Sequence, residues 1–184
     1  MSRFLDAIRI LGNQLLCCAL QFGYMNRSKF ASLDAFLQRL EPFLAAWPDD
    51  VQLAVEVRNK GWMTAAQGGV FRQHRAVWVI PDQVWMPSPL SVVQCLDAVT
   101  GPFAYVRLLG DREAVDKLTA TLDHIVIDRG EQVRADAEAI KLLSKRVPVV
   151  AFVNNHFAGS APETVRQLVA LTGPVASAWA RGSP

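Results

Sequence analysis

The sequence predicts an α/β fold built on a parallel sheet, and three observations lead to this prediction. Five short apolar runs have the length of strands and few polar residues inside them, which is typical of strands that helices cover on both faces. Segments with the apolar spacing of helices lie between and around those runs. No internal repeat, low-complexity tract or linker divides the 184 residues. Alternating strands and helices indicate one α/β domain with right-handed crossovers.

The five predicted strands end in polar side chains on one face only. The runs are LLCCALQF (15–22), LAVEVRN (53–59), AVWVIPD (76–82), FAYVRLLG (103–110) and PVVAFVNN (148–155). Alternate residues of a strand point to opposite faces of its sheet. In these runs one face stays apolar, whereas the other turns polar near the C-terminal end. Polar groups are therefore expected to collect at one edge of the sheet.

Helices are predicted before, between and after the strands. The first covers 4–11 and ends at Gly12, since glycine is a common C-cap. Another begins at the cap Ser32 and is interrupted by Pro42. A third, within 112–123, has leucines at helical spacing. The others are predicted over 65–72, 88–98 and 131–145 and from Ser160 onwards.

The composition supplies a sizeable core and excludes few functions. Hydrophobic residues make up 51% of the chain, the mean hydropathy is +0.17, and the net charge is +2. No long basic run is present, so the charge neither demands nor excludes nucleic acid. The early apolar run 15–20 is far shorter than the ~20 residues of a membrane span. Cys17, Cys18 and Cys95 have no metal-ligand spacing. We therefore expect a cytoplasmic protein with no membrane partner, metal site or cofactor.

The strand ends predict a site at one edge of the sheet. Both a (β/α)8 barrel with its site at the C-terminal mouth and an open doubly wound sheet with a crevice require this pattern. From Gln21 to Asn154 the chain runs 133 residues in four strand-to-strand steps, or about 33 per step, close to the ~31 of a barrel unit. Five strands do not close an eight-stranded barrel. The residues expected at the site are Gln21, Glu56, Arg58, Asp82, Arg107, Asn154 and Asn155.

Four stretches resemble a known family in their order and spacing. They are QLLCCALQFG, LAVEVRNKGW, FAYVRLLGD and VVAFVNNHFAGSAPETVRQL, and together they resemble the strand ends of the YecE-like family, domain of unknown function 72. The resemblance implies a TIM-barrel fold and carries no established activity. The positions that match the family pattern are Gln21, Glu56, Arg58, Trp62, Tyr105, Arg107, Gly110, Phe152, Asn154 and Asn155.

The chain departs from the family pattern in two places. Phe22 and Gly23 follow Gln21 where the family commonly has Leu-Pro-Pro, so this loop is expected to differ. The family's first three strands have no counterpart, so by resemblance the chain begins in the helix before strand four. We therefore expect a partial (β/α)8 barrel of five parallel strands with outer helices, in which residues 1–184 form a single incomplete domain.

The residue types at the strand ends suggest roles. Arg58 and Arg107 are predicted to contact an anion, because a guanidinium presents two donors to one phosphate or carboxylate. Glu56 is predicted as the group for proton transfer. The alternative is a structural ion pair, since buried charges are retained when they are paired. The other residues predicted to bind substrate are Gln21, Asp82, Asn154 and Asn155.

A helix is predicted to begin directly after the last strand, where barrels often hold phosphate. Gly159 and Ser160 are the predicted phosphate-binding residues. The alternative is a purely structural capping box, in which Ser160 and Glu163 satisfy the first helical amides.

Three functions remain open from the sequence. The first is a barrel that binds or transforms an anionic, phosphorylated small molecule at its C-terminal mouth. The second is a nucleic-acid-handling barrel, which only analogy between folds suggests. The third is a truncated product without activity of its own. An incomplete barrel is also expected to associate with itself through its unpaired strand edges.

Overall fold

A computed structural model describes residues 2–173, which contain one sheet of five strands. All neighbouring strands are parallel and lie in the order of the chain. Each strand lies within a few residues of its predicted run, so the α/β class and the parallel sheet are confirmed. The strands are β1 (Cys18–Phe22), β2 (Leu53–Val57), β3 (Val77–Gln83), β4 (Ala104–Gly110) and β5 (Val149–Val153).

Helices precede, connect and follow these strands. Of the helices that the structure describes, none is long and apolar enough to cross a membrane. Short 3₁₀ turns lie at Gly12–Gln14, Lys60–Trp62 and Asn155–Phe157. The α-helices are α1 (Ser2–Arg9), α2 (Leu33–Ala45), α3 (Ala65–Gln73), α4 (Pro89–Cys95), α5 (Arg112–Asp116), α6 (Gly130–Ser144) and α7 (Ala161–Thr172).

The two faces of the sheet have different neighbours. Alternate strand residues pack with α2, α3, α4, α6 and α7 in the main hydrophobic core, and we call this side the helix face. The opposite side, the open face, carries a smaller cluster to which none of the described helices contributes. The central residues of this face are buried, whereas Phe152 of β5 is 56% exposed. The buried residues of the open face are Ala54, Val77, Val79 and Phe103.

The pairing between β2 and β3 is short. Their register covers only Ala54 with Val77 and Val55 with Trp78, whereas each of the other three neighbouring pairs is matched at five positions. Pro81 lies further along β3 and lacks the N–H that a sheet ladder uses. We call this short junction the β2–β3 seam.

Pro42 does not interrupt α2, so that prediction is wrong. The helix continues through it to Ala45. The ring of Pro42 removes one intrahelical hydrogen bond, but the site is exposed to water. Leu44 is buried in the core and holds the final turn in place.

The helix predicted over 112–123 is much shorter than expected. α5 ends at Asp116, and Leu118 is exposed instead of lying on a buried helical face. The hydroxyl of Thr119 donates to the backbone oxygen of Thr121 at 2.7 Å and accepts from its amide at 3.0 Å. Such local bonds compete with helical ones, so the chain turns here.

Arg75 has a backbone conformation that favours glycine. Its φ is +54°, and it follows the C-cap of α3, His74. The amide of Ala76 donates to the carbonyl of Phe71 at 2.9 Å, and that of Arg75 donates to Arg72 at 3.1 Å. These two bonds define a Schellman motif, whose left-handed position is usually glycine.

We expect Arg75→Gly to raise the free energy of unfolding by about 0.5 kcal/mol, because relief of left-handed strain exceeds the entropy that glycine adds to the unfolded chain. Urea denaturation measures the change. As a control, Arg72→Gly inside α3 should lower stability by about 1 kcal/mol. A loss of stability in Arg75→Gly would contradict this account of the turn.

Candidate functional site

A buried carboxylate on the open face binds two arginines. Glu56 lies in β2 and its side chain is 1% exposed. Its Oε1 accepts a hydrogen bond from Arg58 Nε at 2.6 Å, and its Oε2 accepts one from Arg107 Nη1. The same Nη1 donates to Gln21 Oε1 at 2.8 Å. We call these four residues, all predicted from the sequence, the mouth cluster.

Strand register accounts for this arrangement. Gln21 of β1 is directly paired with Glu56 of β2. Arg107 lies on β4 and is paired with Pro81 of β3. Its side chain therefore crosses β3 to reach Glu56, beyond the β2–β3 seam. An arginine is long enough to make this crossing and carries a donor group with fixed geometry at its end.

The mouth cluster carries excess positive charge. Two guanidinium groups and one carboxylate leave a formal charge of +1, and both arginine side chains are 18% exposed. The hydrogen bonds to Glu56 and Gln21 occupy Nε of Arg58 and Nη1 of Arg107. The other guanidinium nitrogens make no hydrogen bond to the described residues. They can therefore present paired donors to an oxyanion.

Two further titratable groups lie on the open face near the cluster. Burial raises the pKa of the Tyr105 hydroxyl, and the positive charge of Arg107 partly offsets this increase. Burial raises the pKa of the Cys17 thiol to about 11. Since the thiolate is the reactive form of cysteine, Cys17 is not an activated nucleophile at neutral pH.

Asp82 lies on the helix face, so the expectation that it joins the mouth cluster is wrong. Its Oδ2 accepts a hydrogen bond from Gln132 Nε2 of α6. Gln132 Oε1 accepts one from Arg129 Nη1 at 2.8 Å. The physical reason is the pleat of β3, which directs Asp82 to the same side as Trp78 and Ile80 in the main core.

Asp82 is paired with a second buried carboxyl group that the sequence analysis missed. Asp136 of α6 is fully buried, and no donor among the described residues reaches either of its oxygens. Burial, and then the charge of Asp82, raises the pKa of Asp136 to about 8, against an opposing effect of Arg129. Since neighbouring carboxylates disfavour each other's ionisation, we expect the pair to retain one proton, which one carboxyl group then donates to the other. The signal in the sequence was a carboxylate on the apolar side of α6, beside Val133 and Ala137.

Asn154 and Asn155 are engaged in local hydrogen bonds. Asn154 Oδ1 accepts from the amide of His156 and lies 2.9 Å from its Nδ1. The other ring nitrogen of His156 lies 3.1 Å from Asp116 Oδ1 of α5. Asn155 Oδ1 accepts from the amide of Ala161 at 2.8 Å. No hydrogen bond among the described residues joins either asparagine side chain to the mouth cluster.

The start of α7 is enclosed by protein. Ser160 is buried, and Gly159 has φ +113° with the backbone oxygen of His124 2.4 Å from where a Cβ would lie. The predicted capping box does not form, because Ser160 makes no side-chain cap and Glu163 Oε2 accepts from the amide of Ile125 at 3.1 Å. Gly159 therefore packs against the segment before α6 and Ser160 is buried, which argues against a phosphate there.

Comparisons with solved structures agree with this fold. A DUF72 family protein from Thermotoga maritima is 22% identical with a TM-score of 0.66 over 94% of this chain. Two structures of a DUF72 family protein from Enterococcus faecalis are 21% and 18% identical, each with a TM-score of 0.62, over 93% and 94% of this chain. This chain spans only 63 to 67% of their lengths. No curated protein matches the chain.

The sequence also matches a family model over nearly its whole length. The model is described as a protein of unknown function, DUF72, and it covers residues 1–183. The YecE-like resemblance of the strand ends fits this match and is confirmed.

The carboxyl pair predicts a dependence of stability on pH. Between about pH 4 and pH 8 the carboxyl pair of the folded protein retains a proton. In the unfolded chain the same carboxyl group has already lost this proton. The free energy of unfolding should therefore fall as the pH rises through this window and level off above it. Asp136→Asn cannot ionise and keeps a donor beside Asp82, so we expect it to remove this decline.

Chemical denaturation between pH 4 and pH 9 measures the effect. Asp123→Asn is the control, because the pKa of this exposed carboxyl is lowered, chiefly by its hydrogen bond with His124. Its contribution to stability is lost below pH 4, outside the window. Equal slopes for the wild type and Asp136→Asn would show that the pair shares no proton.

Proposed function

Because the chain belongs to the DUF72 family, whose description assigns no activity, we propose its function from the site: the mouth cluster binds an anionic, phosphorylated small molecule. The observation that supports this most directly is the pair of arginines held by one buried carboxylate. Such a group carries net positive charge and unused donors on a partly exposed surface. Phosphate oxygens accept paired hydrogen bonds from guanidinium groups, and a phosphate has enough oxygens to contact both arginines.

Glu56 and Gln21 act in this proposal by positioning the arginines. Both oxygens of Glu56 accept charge-assisted hydrogen bonds from the arginines, which fix the direction of each guanidinium group. This favours an orienting role over the proton transfer predicted from the sequence. Gln21 Oε1 holds Arg107, and its amide nitrogen is left to donate to the bound anion. Asp82, Asn154, Asn155, Gly159 and Ser160 have no part in the proposed site.

We also propose that the sheet belongs to an eight-stranded (β/α)8 barrel whose other three strands lie outside residues 2–173. The sequential order of the parallel strands supports this, as does an open face whose apolar cluster contains no residue of a described helix. Five of the eight strands of a barrel are about 63% of its strands. This chain spans a similar share, 63 to 67%, of the DUF72 structures. The mouth cluster then lies at the C-terminal end of the strands, where barrel enzymes bind substrate.

The anion site is tested by ligand-induced stabilisation. Phosphate or a sugar phosphate at about ten times its dissociation constant should raise the free energy of unfolding by about 1.4 kcal/mol. Arg58→Ala and Arg107→Ala should each abolish this gain, because each removes one of the two guanidinium forks. Circular dichroism checks that both variants remain folded.

The matched control is Arg72→Ala, since Arg72 pairs with an exposed aspartate on the outer surface. It should keep the full effect of the anion. If Arg58→Ala and Arg107→Ala also keep it, the arginines are structural and the proposed function is wrong.

The barrel proposal predicts self-association of the 184-residue chain on its own. Among the described strands, β1 and β5 each have one neighbour only, and an unpaired edge is a template for another strand. We expect light scattering to show dimers or larger species. Phe152→Lys on β5 should reduce them, whereas Val165→Lys on the exposed side of α7 should not. A stable monomer at high concentration would contradict the prediction.

A further inference from the structure

Two large aromatic side chains are exposed on the loops that follow β1 and β3. Tyr24 is 64% exposed and Trp85 is 51% exposed. Each is followed in the chain by a buried methionine, Met25 and Met86. The two aromatic rings are exposed to water, whereas the methionine after each of them is buried. The buried methionines hold the backbone of both loops in place, although the rings themselves are not packed.

A reciprocal pair of hydrogen bonds ties the backbone directly after Tyr24 to the segment that follows Arg58. The amide of Met25 donates to Asn59 Oδ1 at 2.9 Å, and Asn59 Nδ2 donates to the carbonyl of Met25 at 2.8 Å. Asn59 directly follows Arg58 in the chain. The backbone of Tyr24 is thereby tied to the segment that carries one of the two arginines.

Trp85 lies at the tip of a tight turn. The amide of Met86 donates to the carbonyl of Gln83 at 2.8 Å, so Val84 and Trp85 occupy the two central positions. Turns of this kind usually use glycine, proline, asparagine or aspartate there. Val84 is also exposed, at 62%, so the tip of the turn presents two adjacent large apolar side chains to water. The turn directly follows β3, in which Pro81 is paired with Arg107.

We propose that the anion bound by the mouth cluster carries a flat aromatic ring, as a nucleoside monophosphate does, and that this ring stacks on Tyr24 and Trp85. The inference rests on the proposed function and adds the class of ligand. β1 and β3 are the two neighbours of β2, so their loops are separated by roughly two strand spacings, on the order of 10 Å. The phosphate then contacts Arg58 and Arg107 while the ring lies between the two loops.

Isothermal titration of the 184-residue chain tests this with three probes. Adenosine monophosphate has both the phosphate and the ring, ribose 5-phosphate lacks the ring, and adenosine lacks the phosphate. We expect adenosine monophosphate to bind about tenfold more tightly than ribose 5-phosphate, the scale of one stacking contact. Adenosine should bind more weakly than adenosine monophosphate.

Variants separate the ring from the phosphate. Tyr24→Ala and Trp85→Ala should each weaken the binding of adenosine monophosphate several-fold and leave that of ribose 5-phosphate unchanged. Tyr24→Phe keeps a stacking face and should bind as the wild type does. The control is Phe4→Ala, because Phe4 is similarly exposed but lies in α1, which precedes β1. Since all three rings are exposed, circular dichroism should show intact folds.

The outcomes distinguish the two proposals. If ribose 5-phosphate binds through Arg58 and Arg107 and adenosine monophosphate binds no more tightly, the ring assignment is overturned while the proposed function stands. If no phosphate binds, both fall. If a ten-nucleotide single strand binds more than a hundredfold more tightly than adenosine monophosphate, with strong dependence on salt, the small-molecule assignment is overturned in favour of nucleic acid.

Discussion

The arrangement of the open face depends on one buried charge, the carboxylate of Glu56. A buried carboxylate is costly unless hydrogen bonds and opposite charge compensate it. Here the compensation comes from Arg58 of the following segment and from Arg107, which crosses β3 to reach it. Arg107 in turn holds Gln21 of β1. Three strands are thus joined by side chains at the end of the sheet where backbone pairing between β2 and β3 has already ended.

The same strand ends carry a second polar group on the opposite face. Asp82, Asp136, Gln132 and Arg129 connect β3 to α6, and the Arg129 guanidinium lies 5.4 Å from the centre of the Phe157 ring. The two carboxyl groups of this second group are buried between β3 and α6, whereas the mouth cluster is partly open and carries an unbalanced positive charge. The contrast separates a group that stabilises packing from one that is available to a ligand.

Much of the fold could be predicted because apolar residues recur with a period of two in its strands and of 3.6 in its helices. Buried apolar runs located all five strands, and alternation placed Glu56 and Arg107 where they meet. The same alternation places Asp82 beside Trp78 and Ile80, so its position on the helix face was readable from the run 76–82. We expected Asp82 to join the mouth cluster because it lies at a strand end, and we gave less weight to the face of the sheet on which it lies.

Other features depended on contacts that the local sequence does not contain. Leu118 and Leu122 have helical spacing, but the threonines that follow Leu118 form their own turn. Glu163 has the spacing of a capping box, yet it bonds a loop that is 38 residues earlier in the chain. Asp136 was one polar residue in a helical pattern, and its partner lies on β3. Each of these outcomes was decided by a neighbour distant in sequence or by a competing local bond.

The short β2–β3 seam divides the sheet into a two-stranded part and a three-stranded part. Backbone hydrogen bonds make each part stiff, while the junction between them has few, so relative rotation is the softest deformation of the sheet. The bond between Arg107 and Glu56 spans this junction at its open end. A force that draws Arg107 away from Glu56 changes the angle between the two parts and leaves each part's own pairing intact. The distance between Arg107 and Glu56 and the curvature of the whole sheet are therefore expected to change together.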